Sequence, residues 1–474
     1  MKIALIKPPG TYAFWFKQPM LGISYISSCL ERSGFECKIF DADFNTWSER
    51  TLLEKVRAYN PDVVGITSMT HDIVAASRIA YKLKMYSNIP IIIGGCHVTA
   101  LPYRTLEEFP MFDYGVFGEG EITMQELLQC LSENNNYSLE LIHGLVFRKG
   151  KNIILNQPRP FLTSQEINEL PFPTFKDYYE KNKNALSGKN KYYVVITSRG
   201  CPFNCVFCMR VLGQKIRRRS PENVCDEIEF AISAYGAHTI VFLDEIFLFN
   251  DAETRVLLNM MINRGLSKKI KWAGFIRANF VTSELIYLAK QAGCYHLEMG
   301  VESGDDEILK VIEKRISIEQ IRKAVKIIKE ARISLCTLYI LGHPNETRDT
   351  VRKTVELAIE LNTDDIAVGL MVPYPGTKIY EMALNGQGGY RLLSHNWSDF
   401  DKYCSKVLEL NDLSYQELSQ WQRTAFIGLY LKNRRFIDAL KFFWKIRRAL
   451  GYIFMKWMAG LQDRLGRSKK ISCK

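Results

Sequence analysis

Residues 192–210 read YYVVITSRGCPFNCVFCMR, and the rest of the chain is read outward from them. The first seven are an apolar, β-branched run of strand length. The cysteines that follow, Cys201, Cys205 and Cys208, are spaced C-x3-C-x2-C. A thiolate-rich loop suits a soft metal or an iron–sulfur cluster. Zinc usually takes four ligands, often as two C-x2-C-type pairs, and the sequence holds no second pair. Three ligands leave one iron of a cluster open to a substrate or cofactor.

Downstream, TIVFLDEIF, IKWAGFI, YHLEMGVES, LCTLYILG and DIAVGLMVPY read as further strands, separated by helices such as PENVCDEIEFAISAYG and SIEQIRKAVKIIKEAR. Six strand–helix units fall short of the eight of a closed TIM barrel. They predict a partial (β/α)6 barrel over 191–380, with its chemistry at the C-terminal ends of the strands. Upstream, KIALIK, CKIFDAD, DVVGITSM, PIIIGG and DYGVFGEG alternate with helical patterns. That alternation predicts a doubly wound parallel α/β sheet over 1–140. Residues 141–190 read as a connector, with a hairpin turning at Lys149-Gly150 and prolines at 158, 160, 171 and 173. After Gly386, Gly388 and Gly389 the pattern predicts a helical C-terminal region, 381–474, ending in a basic tail.

The 474 residues predict two or three domains of ordinary globular composition, 47% hydrophobic and 24% charged. No apolar run reaches the roughly 18 residues of a membrane span. Pro8 and Pro9 break the N-terminal apolar run too early for a signal peptide, so a cytoplasmic protein is expected. The twelve cysteines, scattered apart from the triplet, read as reduced thiols and not as a disulfide framework. The net charge of +12 belongs to the tail, where 14 Lys and Arg from Trp421 to Lys474 face only Asp438 and Asp463. There Phe436, Leu440, Phe443, Leu450, Phe454, Trp457 and Leu461 recur at helical spacing, with Lys441, Lys445, Arg448 and Lys456 on another face. Such a basic amphipathic helix either lies on an anionic membrane surface or packs on the barrel, and periodicity does not separate the two. Nucleic acid fits poorly, since no recognised module accompanies the charge.

The cysteine triplet, with aromatic Phe207 before its last member, resembles the signature of the radical S-adenosylmethionine (SAM) superfamily, and the resemblance covers roughly 190–380. It implies a [4Fe–4S] cluster on Cys201, Cys205 and Cys208 whose open iron is chelated by SAM. It also implies an electron donor such as flavodoxin or ferredoxin, and a 5′-deoxyadenosyl radical that abstracts hydrogen from substrate. By the same resemblance Asp244 and Glu245 accept from the SAM amino group, Arg277 meets the carboxylate, and Glu302 and Ser303 lie in the ribose segment. Ile340, opening the stretch to Pro344, packs on adenine. Structural ion pairs are the alternative for all of these. Pro8-Pro9-Gly10, GITSMT (65–70), GGCHVTALP (94–102) and FGEGE (117–121) resemble the cobalamin-binding class of that superfamily, which includes the anaerobic magnesium-protoporphyrin cyclase type. This places Ser68, Thr70, Gly94, Gly95, His97, Thr99, Gly118, Glu119 and Gly120 around a corrin. The D-x-H-x-x-G motif that supplies an axial histidine elsewhere is absent, and His97 does not stand in it. Methylthiotransferases differ, because Cys29, Cys37, Cys96 and Cys130 lack ligand spacing. The implied reaction is methylation of an unactivated carbon of a small-molecule or lipid substrate. A cyclisation or other redox rearrangement is the second reading, and a non-catalytic cofactor-binding or maturation protein the third.

Overall fold

The computed structural model describes residues 1–10, 18–132, 138–179, 192–402 and 406–440. The strands of the first module are β1 (Lys2–Lys7), β2 (Glu36–Asp41), β3 (Val63–Thr67), β4 (Ile91–Gly94), β5 (Tyr114–Val116), β6 (Leu145–Lys149) and β7 (Asn152–Leu155). They form one sheet in the order β2-β1-β3-β4-β5-β6-β7, parallel through β5. The helices Leu21–Arg32, Glu49–Tyr59, Ile73–Lys84 and Gly120–Ser132 supply the crossovers. Parallel strands buried on both faces explain apolar runs such as IIIG. The order reverses between β1 and β3, and a doubly wound sheet opens its binding crevice at the C-terminal ends of such strands. The hairpin expected at Lys149-Gly150 is β6–β7. It continues this sheet antiparallel to β5, so position 140 precedes two strands of the same sheet. A two-residue turn with Gly150 at φ 64° needs no crossover, which is why the hairpin joins at the edge.

The second module contains β8 (Tyr192–Val195), β9 (Ser198–Arg199), β10 (Arg217–Arg218), β11 (Thr239–Phe242), β12 (Lys271–Ile276), β13 (Cys294–Glu302), β14 (Ser334–Leu341) and β15 (Asp365–Leu370). Six of them make a parallel sheet in the order β15-β14-β13-β12-β11-β8, whose two edges do not pair. This is the open six-stranded barrel expected from the repeat count. Along β14, Leu335, Thr337, Tyr339 and Leu341 are buried against helices, while the alternating residues line the barrel interior and stay partly open. Trp272 on β12 is wholly buried, donates its Nε1 to the Ala292 carbonyl at 2.9 Å, and meets Phe247 edge-on at 5.1 Å. Truncating a side chain so placed costs about 3–5 kcal/mol.

After the barrel the chain is less helical than expected. β16 (Tyr390–Leu392) and β17 (Leu408–Leu410) form a small antiparallel pair before the helix Tyr415–Lys432. The Tyr390 hydroxyl donates to the Gly342 carbonyl at 3.0 Å, so the pair is held against the end of β14. The connecting segment crosses to the first module, where Trp397 donates to Glu108 at 2.6 Å and its ring meets His97 at 5.0 Å. Most of the amphipathic tail, from Lys441 onward, lies outside the described residues. Among the described residues no helix is long and apolar enough to cross a membrane.

Candidate active site

The cysteine loop, residues 200–216, leaves and re-enters the barrel rim through the two-residue hairpin β9–β10, where Arg199 and Arg217 pair directly. Gly200 sits at φ 97°, and a Cβ there would lie 2.3 Å from the Lys215 carbonyl, so only glycine lets the loop close this tightly. The Cys201 amide donates to the Gly213 carbonyl, and Val206 is tied to both Ile312 and Ile379. The strand end before the loop is gripped by Asp244. Its buried carboxylate accepts from the amides and hydroxyls of Thr197 and Ser198, the hydroxyls at 2.7 Å. Asp244 is thus engaged by the chain itself. Glu245 beside it is exposed at the rim and near enough to Cys201 and Cys208 to oppose their ionisation.

Cys205 is buried, Cys201 partly so, and Cys208 exposed, and none is in a disulfide. Among the described residues no three His, Cys, Asp or Glu side chains converge on one ion position. Three thiols on one loop suit a cluster that takes each thiolate on a different iron. Arg277 lies beside this loop, 4% exposed, with Nη1 donating to Cys205 Sγ at 3.9 Å and its guanidinium 3.8 Å from the Phe203 ring. Nε is taken by Asn279, while Nη2 is buried without an acceptor. A buried donor left without a partner is costly, and an anionic ligand next to Cys205 would relieve it. The residues present therefore fit a cluster with a carboxylate-bearing ligand beside it.

Glu302 adopts φ 70° at the end of β13, where a register shift turns its side chain into a buried ion pair with Lys314 at 2.7 Å. A Cβ at Gly300 would lie 2.3 Å from that carboxylate, so the glycine makes room for it. Lys314 in turn favours the thiolate of Cys208, which puts this pair at the cluster loop. Ser303 is wholly buried and spent on Thr354 and the Asp305 amide. Ile340 lies on the partly open face of β14. His343, inside the stretch from Ile340 to Pro344 but given no role there, is fully buried between the Glu302 carbonyl (3.4 Å) and the Phe207 ring (5.9 Å), and burial pushes it down to about 4.

The glycine loops of the first module meet at one edge. Ser68 donates its amide to the Gly94 carbonyl, and Gly95 approaches Ser68 so closely that a Cβ would lie 2.5 Å from its carbonyl. The Thr99 hydroxyl donates to the Gly95 carbonyl and accepts from the Gly118 amide. Gly94 and Gly95 stay partly open, and a Cβ on exposed Gly118 would meet nothing within 4 Å. Gly120 begins the helix Gly120–Ser132. Backbone without side chains above it is what a flat ring lying across a sheet edge requires. Two of the expected residues turn elsewhere. His97 is 1% exposed, 3.4 Å from Thr70 and edge-on to Trp397, so its ring faces the C-terminal segment. Glu119 is buried and spent on the barrel: Oε1 accepts from Arg199 and Arg217 at 2.9 Å, and Oε2 accepts from Arg217 and the Leu162 amide at 2.8 Å. Glu121 takes the other Arg199 nitrogen at 2.6 Å. Neither arginine is marked by a motif; the available signal was two basic residues flanking a cysteine loop opposite an acidic G-E-G-E.

Comparison with known proteins assigns both modules to known families. Residues 15–128 match the B12 binding domain family and residues 195–358 match the Radical SAM superfamily. An uncharacterised methyltransferase of Pyrococcus horikoshii is 32% identical over 92% of this chain and 93% of its own. The anaerobic magnesium-protoporphyrin IX monomethyl ester cyclase of Cereibacter sphaeroides is 27% identical over 77% of this chain and 60% of its own. The structure of TsrM, a radical S-adenosylmethionine methyltransferase from Kitasatospora setae with cobalamin and a [4Fe-4S] cluster bound, shares the fold. Its TM-score is 0.69 at 18% identity, over 90% of this chain and 88% of that one.

The His97 environment sets a pH response. Burial, opposed by Glu108 and reinforced by Arg104, pushes its ring from 6.5 down to about 4. Between those values the unfolded chain gains a proton that the folded chain refuses, so this contribution to stability is full above pH 6.5 and is lost as pH falls towards 4. His97→Phe is expected to lose less Tm than the wild type between pH 7 and pH 5, as followed by calorimetry; parallel losses would refute the assignment.

Proposed function

This chain belongs to the cobalamin-binding radical SAM enzymes, and on that premise we propose that it methylates an unactivated carbon of a small-molecule or lipid substrate. The observation that carries this reading is the direct contact of the two cofactor edges. The loop that ends in Gly118 on the corrin side continues into Glu119 and Glu121, whose carboxylates hold the arginines that close the cysteine loop. When bound, the cluster and SAM supply a 5′-deoxyadenosyl radical that takes a substrate hydrogen, and methylcobalamin supplies the methyl group. The residues of the chain bind, orient and shield these groups. Cys201, Cys205 and Cys208 would hold three irons. Arg277 would take the SAM carboxylate through its unpartnered Nη2, and exposed Glu245 the amino group. Glu302 and the Ile340 face would bound the nucleoside. Gly94, Gly95 and Gly118 would lie against the corrin, with no histidine contributed by position 97.

An electron donor of the flavodoxin or ferredoxin class completes the scheme. Product analysis after anaerobic turnover separates methyl transfer from cyclisation. S-adenosylhomocysteine formed alongside 5′-deoxyadenosine is the expected result; 5′-deoxyadenosine alone would point to the cyclase-type rearrangement instead.

We also place the enzyme at an anionic bilayer surface. Ile427, Leu431, Phe436, Ile437 and Leu440 are between 45% and 71% exposed and lead into the basic tail. Apolar side chains next to a run of lysines and arginines match the two contributions to interfacial binding, apolar burial and attraction to anionic lipid. The full chain is expected to sediment with phosphatidylglycerol vesicles in a salt-sensitive manner, and a chain lacking 441–474 to stay in solution. Equal binding by both would refute this placement.

A further inference from the structure

The hairpin β9–β10 sets two arginines opposite each other. Arg199 and Arg217 are directly paired across it, and both are almost wholly buried. Like charges opposed in this way repel, and among the described residues no carboxylate of the barrel hydrogen-bonds to either, Glu245 acting on Arg217 only through space. Arg199 lies against Glu119 and Glu121. Arg217 lies against Glu119 and the carbonyls of Leu162 and Leu212. Every carboxylate hydrogen-bonded to the pair therefore comes from the first module, from the loop after β5 and the first turn of the helix Gly120–Ser132. The base of the cysteine loop, two residues before Cys201, is closed by charges that the corrin-side domain delivers.

The same loop is laced to the rest of the corrin edge. The Gly118 amide donates to Thr99 Oγ1, and Thr99 donates to the Gly95 carbonyl. Gly95 packs on Ser68, whose amide donates to the Gly94 carbonyl. A line of hydrogen bonds, close packing and adjacent residues thus runs from the loop after β3, across the glycine loops, through Glu119, into Arg199 and the cysteine loop.

We propose that Glu119 is a positioning residue that couples corrin binding to cluster binding, touching neither cofactor and acting through Arg199 and Arg217. This rests on the assignment of both cofactors made above. A loaded cluster fixes the cysteine loop, the fixed loop fixes the two arginines, and they hold Glu119 and Gly118 in the conformation that the corrin meets. Coupling of this kind is reciprocal: each cofactor tightens the other by the same factor.

The test is the dissociation constant of hydroxocobalamin, measured by anaerobic equilibrium dialysis on the full chain with and without its reconstituted cluster. In the wild type, loading the cluster is expected to tighten hydroxocobalamin about fivefold or more, the usual lower range of such couplings. In Glu119→Gln the two constants should become equal, with iron content and circular dichroism unchanged. Glu119→Asp keeps the charge but is one methylene too short to reach both arginines. It should lose most of the coupling and serves where the glutamine variant fails to fold. Glu121→Gln, which leaves Glu119 on both arginines, should retain coupling. Equal constants in the wild type, or undiminished coupling in a folded Glu119 variant, would overturn the inference while leaving the two-cofactor reading intact. No hydroxocobalamin binding in either wild-type form would overturn that reading and the coupling with it.

Discussion

One carboxylate, Glu119, stands between two buried arginines, and the arrangement of the molecule follows from it. Removing a partner from a buried ion pair is far more damaging than never having had the pair. Arg199 and Arg217 therefore tie the cysteine loop to the first module, since stranding a charge buried this way costs about 3–5 kcal/mol. The neighbouring Arg219–Glu227 pair repeats the device on the other side, with the Tyr25 hydroxyl of the first module 3.3 Å from the same guanidinium. A cluster loop held this way cannot shift against the corrin edge without stranding charge. Under the proposed methylation, two cofactors that act in turn on one substrate carbon require such fixed separation.

The C-terminal segment supplies the second restraint. Trp397 reaches Glu108 and the His97 ring, and Tyr380 reaches Arg104, so residues that follow the barrel also close the far side of the first module. Val372, Tyr380, Trp397, Phe400 and Val407 share one apolar core with β1, β3 and β4. The two modules share an apolar core and paired charges, and His97 is buried against Trp397 of the C-terminal segment.

Much of this was legible in the sequence because local pattern dictates it. Apolar β-branched runs alternating with amphipathic helices specify parallel strands with crossovers, and C-x3-C-x2-C after a strand specifies a thiolate loop. Glycine pairs at strand ends mark where backbone comes close to something else. What was not legible depends on partners remote in sequence. Glu119 meets Arg199 and Arg217, 80 and 98 positions away. Asp244 looks like a ligand from its place at a strand end, yet its oxygens are taken by Thr197 and Ser198. His97 follows a glycine pair as a cofactor ligand would, and its burial against Trp397 appears only once the C-terminal segment is in place. An acidic or imidazole side chain at a strand end carries the same local signature whether it binds a cofactor or locks a neighbouring element. In the C-terminal region the helix Tyr415–Lys432 fits the expectation, while β16 and β17 are three residues each, too short for periodicity to register.

The central claim is that one chain carries two separate cofactor sites, a cluster on Cys201, Cys205 and Cys208 and a corrin across the glycine loops. The direct measurement is the absorption spectrum and iron content of anaerobically purified protein supplied with saturating cobalamin, before and after Cys205→Ala. The account predicts iron–sulfur absorption together with corrin bands in the wild type, and loss of the iron–sulfur absorption with the corrin bands retained in the variant. Full iron content in Cys205→Ala, or a wild-type protein without corrin bands, would contradict it.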